Sequence, residues 1–149
     1  MKGLQRVVEG PWGRVVIRRP RSPEEYMALV EVQRRVWGLK DYYLALPHHL
    51  MKAVDDHGGL VLGAFLDDKE PIGVIFGLLG LYDGKLVHYS HIAGVVGEHR
   101  FKGLGLQMKL IQREYVIKQG LDLVVWTYDP CQGANARFNI GKLGAVVRR

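Results

Sequence analysis

The run from Leu86 to Gln119 constrains the fold most, because it places a glycine-rich basic loop between two regular elements. Residues 86–96 are largely apolar and predict a strand, whereas residues 106–119 have helical spacing of apolar side chains. Between them lie three glycines and two cations, Gly97, Gly103, Gly105, Arg100 and Lys102. Glycine allows close approach of the backbone to a ligand, and the unpaired N–H groups of a helix N-terminus favour an anion. The sequence therefore predicts an anion-binding loop.

The spacing of the glycines selects among the known phosphate-binding loops. A Walker loop requires G-x-x-x-x-G-K-[ST], which does not fit, and a dinucleotide fingerprint requires a third glycine where this chain has Met108. The pattern Arg100-x-x-Gly103-x-Gly105 resembles the [RQ]-x-x-G-x-[GA] pyrophosphate loop of the GCN5-related N-acetyltransferase superfamily, which binds acyl-coenzyme A. The alternative interpretation is a tight strand-to-helix turn that binds nothing.

The order of the predicted elements extends the resemblance over nearly the whole chain. It is β-α-α-β-β-β-α-β-α-β, with strands at 14–19, 60–66, 71–81, 86–96, 121–128 and 145–147 and helices at 23–37, 48–56, 106–119 and 134–143. Residues 1–13 read as a loose N-terminal arm of a single domain, 1–149. The resemblance implies an α/β (α+β) fold with a mixed, mostly antiparallel central sheet flanked by helices. The family's C-terminal hairpin is missing or truncated here.

Composition limits the partners and the compartment. The formal net charge is +6, which favours an acidic partner such as a phosphorylated cofactor, a carboxylate substrate or nucleic acid. The single cysteine, Cys131, excludes an internal disulfide framework and fits a reducing cytoplasm. No secretory leader is visible, and the longest uncharged run, 71–82, is too short to cross a bilayer, so we expect no membrane partner.

The resemblance implies acetyl-CoA or another acyl-CoA as co-substrate and assigns residues to it. In the family, the strand before the loop lends backbone groups to the pantetheine arm, the loop holds the pyrophosphate, and the last helix meets the pantetheine. The corresponding residues are Gly94, Val95 and Val96 on the strand, Arg100, Phe101, Lys102, Gly103, Leu104, Gly105 and Leu106 in the loop, and Asn135 on the helix. No metal is expected, since the histidines and carboxylates show no ligand spacing.

Acyl transfer to an amine requires a base, a polarised carbonyl and a proton donor for the leaving thiolate. Tyr89 and His91 share one face of their strand by period-two geometry, and His91 is the candidate base because imidazole titrates near neutrality. Tyr128 is the candidate acid, at the end of the strand near which the cofactor sulfur should lie. The alternatives are a hydrogen-bonded strand histidine and a core tyrosine. Ile140 occupies the position where the family often has a tyrosine.

Three functions follow as hypotheses. The first is an acyl-CoA-dependent N-acyltransferase that acts on a primary amine, such as an amino acid or another small metabolite. The second, suggested by Ile140, is a catalytically weak acyl-CoA-binding module of the same fold. The third is a nucleic-acid-binding protein, which the sequence disfavours because its basic cluster lacks interleaved aromatic residues. Two oligomeric states also follow as hypotheses. One is a homodimer formed through a sheet edge that the short C-terminus leaves uncovered, or through the adjoining surface, and the other is a monomer whose terminal arginines block that edge.

Overall fold

The computed structural model describes residues 3–100, 102–129 and 131–148 and contains one six-stranded sheet with helices on both faces. The strands are β1 Gln5–Gly10, β2 Gly13–Arg18, β3 Leu60–Leu66, β4 Glu70–Tyr82, β5 Lys85–Val95 and β6 Val124–Val125. The helices are α1 Pro23–Trp37, α2 His48–Asp56, α3 Leu104–Lys118 and α4 Gly133–Ala136, and α4 continues as a π-helical segment, Arg137–Lys142. Short 3₁₀ turns occupy Tyr42–Leu44 and Gly97–His99.

The strands lie in sequence order across the sheet. The first five pair antiparallel, and β6 joins β5 in parallel through α3, which serves as the crossover helix. The expected mixed, mostly antiparallel sheet is therefore confirmed. Since β5 and β6 run in the same direction, the loop after β5 and the segment after β6 leave the sheet at the same edge.

Neighbouring glycines show which helix covers which face. A Cβ atom on Gly94 would lie 2.5 Å from Val36 of α1, and one on Gly73 would lie 2.9 Å from the sulfur of Met108 on α3. Gly73 pairs with Val95, one position along from Gly94, so these glycines face opposite sides of the sheet. The helix α1 therefore covers one face and α3 the other, and both lie close to β5.

The caps of α1 agree with the sequence except in one bond. The hydroxyl of Ser22 accepts the N–H of Glu25, and Gly38 ends the helix in the left-handed conformation with φ 61°. In a capping box the Glu25 carboxylate would accept the N–H of Ser22. It accepts the N–H of Arg21 instead, at 2.6 Å, and also binds the guanidinium of Arg18, which is 3% exposed. The helix start is therefore tied directly to the end of β2.

Three expectations near the chain ends are wrong. The loose arm expected over residues 1–13 is wrong for residues 5–10, which form β1 and pair with β2 over six positions. Near the other end, the strand expected over 121–128 is reduced to Val124–Val125, and residues 145–147 form no strand. Apolar composition favoured strands there, but a strand also needs a partner, and β6 pairs with β5 at only two positions.

None of the helices within the described residues is long and apolar enough to cross a membrane.

Candidate functional site

The site begins where β5 and β6 separate. Their only pairs are His88 with Val124 and Tyr89 with Val125, although β5 continues to Val95 alongside β4. The two segments of the chain stop pairing beyond Tyr89 and Val125, and we call the gap between these segments the notch. On its β5 side, the notch exposes a strand edge that pairs with no other strand of the described residues. Such an edge offers backbone donors and acceptors to an extended ligand.

Alternation along β5 decides which backbone groups face the notch. The N–H of Val96 donates to the carbonyl of Ile72, which is on the β4 side, at 2.9 Å. By alternation Gly94 also bonds towards β4, whereas Val95 and Ala93 present their backbone groups to the notch. Of the three strand residues expected to bind pantetheine, Val95 thus has the favourable orientation. Gly94 has a packing role, since a side chain there would collide with Val36.

The N-terminus of α3 forms the mouth of the notch. Gly103 precedes the helix with φ 89°, a left-handed conformation that suits glycine, and no side chain caps the helix. Gln107 donates to the carbonyl of Gly103 at 3.2 Å, so the N–H groups of Leu104, Gly105 and Leu106 precede the hydrogen-bond ladder of the helix. Among the described residues, a Cβ atom on Gly105 would meet only Phe138, at 3.9 Å.

The two loop cations have different roles. The guanidinium of Arg100 donates to the carbonyl oxygens of Val95, at 3.1 Å, and Val36, at 2.7 Å, so it ties the loop to β5 and α1. Lys102 is exposed, and its ammonium group donates to the carbonyl of Glu98 at 3.2 Å. The carbonyl of Lys102 accepts the indole N–H of Trp12 at 3.2 Å. The β1–β2 turn therefore supports the loop, and Lys102 is the cation with a freely accessible charge.

Two other loop residues are hydrophobic. Leu104 is 1% exposed and belongs to the core, so its side chain anchors the helix start while its N–H points outward. Leu106 is half-buried. Phe101, which was also expected to contact the cofactor, lies outside the described residues.

His91 is the extra residue of a β-bulge. Phe76 pairs with Ile92 and Gly77 with Ser90, which leaves His91 without a cross-strand partner. Its ring lies 5.9 Å from that of Tyr89 and 6.2 Å from that of Phe76, centroid to centroid, so Tyr89 and His91 share a face as expected. The side chain is exposed, and no hydrogen bond to its ring occurs within the described part of the chain. Bulges often redirect a side chain at a functional site.

The β6 side of the notch holds Tyr128 and the last helix. Tyr128 is half-buried and follows Val125 by three residues. Asn135 is half-buried at the start of the last helix. Asn139 was not predicted from the sequence as a site residue. It is 6% exposed, accepts the indole N–H of Trp126 at 2.8 Å and donates to the carbonyl of Asn135 at 2.9 Å. Its spacing of one helical turn from Asn135 was the available signal. Ile140 is 49% exposed.

A second group that the sequence analysis missed lies below the notch, between β5 and α3. The ammonium group of Lys109 donates to the hydroxyl of Ser90 at 2.8 Å and to the side-chain carbonyl of Gln112 at 3.1 Å. The amide nitrogen of Gln112 lies 2.9 Å from Nε2 of His88, which is fully buried. Lys109 and Gln112 lie three residues apart on an otherwise apolar helix face, and this spacing was the available signal.

Two surface depressions lie away from the notch. One, of about 460 Å³, follows the second half of α3 and residues 120–124, and the other, of about 350 Å³, lies beside α2. None of the candidate site residues lines either of them. Among the described residues, no three His, Cys, Asp or Glu side chains come together in a way that would hold a metal ion.

A scan against protein-family models finds no match, and a search of the curated proteins finds no significant relative. Solved structures do match. The aminoglycoside acetyltransferase meta-AAC0020 from an uncultured soil metagenomic sample, in complex with sisomicin, superposes with a TM-score of 0.75 at 18% identity, with 91% of each chain covered. The aminoglycoside N-acetyltransferase AAC(6')-Iy in complex with CoA gives 0.72 at 14% identity, with 91% of this chain and 93% of that chain covered.

A third match is the NatC complex bound to Gag peptide and CoA, with a TM-score of 0.69 at 14% identity over 86% of this chain and 82% of that chain. This chain has a six-stranded curled sheet flanked by helices, and the likeness to the matched structures covers most of it. The chain has the fold of the GCN5-related N-acetyltransferases.

Proposed function

We propose that this protein is an N-acyltransferase that transfers an acyl group from coenzyme A to the primary amine of a small molecule. The observation that carries the proposal is the continuity of the notch. An unpaired edge of β5 leads directly to the uncapped N-terminus of α3. The first feature suits an extended amide chain and the second suits a diphosphate. Two structures of the same fold, AAC(6')-Iy and NatC, are complexes with CoA.

The chain's own groups fit this co-substrate. The N–H groups of Leu104, Gly105 and Leu106 would donate to the pyrophosphate, aided by the helix dipole and the ammonium group of Lys102. The N–H of Val95 would bind the pantetheine, with Asn135 contributing from the other side of the notch. When bound, an acyl-CoA supplies the thioester whose acyl group is transferred.

His91 and Tyr128 are the proposed proton carriers. As base, His91 would accept a proton from the attacking amine, and its exposure on the bulge leaves its ring accessible to that amine. As acid, Tyr128 would donate a proton to the departing sulfur from the other side of the notch. The two residues follow the last β5–β6 pair on the two diverging chains, which supports their assignment to one reaction centre.

The acceptor is proposed to be a small amine, including an amino acid. Two of the matched structures are aminoglycoside acetyltransferases, which supports a small-molecule amine as acceptor. A second candidate function is an acyl-CoA-binding module without turnover. Ile140 favours it, because an exposed isoleucine, whose side chain has no acidic proton to donate, lies where the resembled family often has a tyrosine.

The Gly105→Val substitution tests the cofactor site. Its side chain would extend into open space at the mouth of the notch, where the pyrophosphate is proposed to bind. We expect this variant to fold normally and to lose measurable CoA binding by calorimetry. Gly80→Val is the matched control, because a Cβ atom there meets nothing closer than 3.9 Å and lies on β4. Unchanged affinity in a folded Gly105→Val variant would contradict the proposal, and CoA binding without turnover on any amine would favour the binding module.

A further inference from the structure

Lys109 occupies the closed end of the notch. Its ammonium group donates to Ser90, the residue after Tyr89 on β5, and lies 5.0 Å from the ring centroid of Trp126, the residue after Val125. Ser90 and Trp126 are therefore the first residues after the last β5–β6 pair on the two diverging segments. Because Lys109 reaches both of them from α3, it forms the floor of the notch at the point where the strands part.

The charge of Lys109 has no anionic partner among the described residues. No described carboxylate forms a salt bridge with it. Its contacts are a hydroxyl, a carboxamide and an indole ring, and the next residue of the network, His88, has an unpartnered Nδ1. Burial lowers the pKa of Lys109 from 10.5 to about 8, so the side chain remains mostly protonated at neutral pH. A partly buried cation without an anion is costly, and a bound anion offsets that cost.

The geometry of the notch indicates which part of a ligand would reach Lys109. The seven residues from Ser90 to Val96 extend about 20 Å along the edge of β5 and just beyond its end. The uncapped helix N-terminus lies at the open end of this path, and Lys109 lies at the closed end. With the pyrophosphate held at the mouth and the pantetheine extended along β5, a comparable length, the acyl group would lie at the closed end.

Resting on the acyltransferase function proposed above, we infer that Lys109 binds a carboxylate at the far end of the acyl group. The co-substrate is then the coenzyme A thioester of a dicarboxylic acid. An acetyl group would leave the ammonium group without an anion. A terminal carboxylate would accept a charge-assisted hydrogen bond from Lys109, whereas the hydroxyl of Ser90 donates to the side-chain oxygen of Gln112 at 3.3 Å.

Calorimetry on the full chain tests this inference independently of turnover. The probes are CoA itself, malonyl-CoA and succinyl-CoA, and the neutral thioesters butyryl-CoA and pentanoyl-CoA. Each neutral acyl chain has as many non-hydrogen atoms in line as its dicarboxylic counterpart when one carboxylate oxygen is counted. We expect each dicarboxylic thioester to bind about tenfold or more tightly than its neutral counterpart. In Lys109→Met this preference should disappear, whereas CoA itself should bind as it does to the wild type. Lys118→Met, at the exposed end of the same helix, is the control and should keep the preference.

The outcomes separate this inference from the function on which it rests. If CoA binds but the wild type has equal affinity for charged and neutral acyl groups, the inference is wrong and the acyltransferase proposal stands. A preference that survives in Lys109→Met also overturns it. If CoA itself does not bind, both proposals fail. Lys109→Gln, which keeps a hydrogen-bonding side chain without the charge, covers the case in which the methionine variant does not fold, and it should also lose the preference.

Discussion

Gly94 and Gly105 are the same residue type in different roles, since Gly94 serves packing and Gly105 is proposed to give a ligand access to the helix start. A side chain on Gly94 would lie 2.5 Å from Val36, so this glycine is required for α1 to approach β5. Among the described residues, a side chain on Gly105 would meet only Phe138, at van der Waals distance, and would project from the start of α3. Both are glycines in the sequence, and only their surroundings in the folded chain separate the two roles.

The proposed proton carriers provide a prediction at the residue scale. His91→Ala and Tyr128→Phe should each lower turnover by roughly 10²–10⁴, because each removes one proton transfer from the reaction. Affinity for CoA, measured by calorimetry, should change little, since neither side chain is proposed to bind the pyrophosphate.

His57→Ala and Tyr82→Phe are the matched controls, because both residues are exposed and lie outside the notch. Both should retain wild-type turnover. Wild-type activity in both of the test variants on the true acceptor would show that water or the substrate carries the protons.

At the scale of elements, the described residues of the loop between β5 and α3 are held by other elements. Arg100 connects it to β5 and α1, and the turn between β1 and β2 supports it through the indole of Trp12. The N–H groups at the start of α3 are therefore fixed in position before a ligand arrives. Such preorganisation lowers the entropic cost of binding.

Because the two loop cations have different roles, we expect one substitution to change stability and the other to change CoA binding. Arg100→Ala should lower the free energy of unfolding by about 1 kcal/mol, because two hydrogen bonds to backbone carbonyls are lost. Lys102→Ala should leave stability almost unchanged and should reduce the salt dependence of CoA binding, because its exposed ammonium group acts on the ligand through charge.

Thermal denaturation and calorimetry at two salt concentrations measure both effects. The interpretation is wrong if Arg100→Ala is as stable as the wild type and Lys102→Ala keeps the full salt dependence.

At the scale of the whole molecule, stability depends on a polar network within the core. His88 is fully buried between β5 and α3, and Gly77 makes room for its ring, since a Cβ atom there would lie 2.1 Å from Nε2. Burial, with a smaller contribution from the charge of Lys109, lowers the pKa of His88 from 6.5 to about 4. Between pH 6.5 and about 4, the folded protein therefore keeps this histidine neutral, whereas the unfolded chain would protonate it.

A depressed pKa in the folded state gives a definite dependence of stability on pH. The contribution of His88 is fully present above pH 6.5, and it is lost as the pH falls towards about 4. The difference of about 2.5 pKa units corresponds to about 3 kcal/mol. Chemical denaturation of the wild type between pH 7 and 4.5 should show this loss, and His88→Phe should show much less of it.

His57→Ala, which changes an exposed histidine, should keep the wild-type pH profile. If the free energy of unfolding of the wild type does not change between pH 7 and 4.5, the lowered pKa of His88 in the folded protein is contradicted.

The sequence by itself determined the elements whose signals are local. The helix α1 lies between the expected cap residues, Ser22 and Gly38, and β3 has the expected bounds, because capping residues and apolar runs act over a few positions. The position of the glycine-containing loop before α3 could also be predicted, since its glycines and the start of the helix are adjacent in the chain, whereas anion binding by this loop stays a prediction.

Tertiary structure alone decided the features that depend on a distant partner. The arm expected at 1–13 forms β1 because β2 pairs with it, and β6 is short because β5 and β6 diverge after two pairs. The bulge that turns His91 outward exists only in the register between β4 and β5. The position of Lys109 at the closed end of the notch requires β5, β6 and α3 to meet. Contacts between residues far apart in sequence leave no periodic signal, and so the site's geometry appears only in the folded chain.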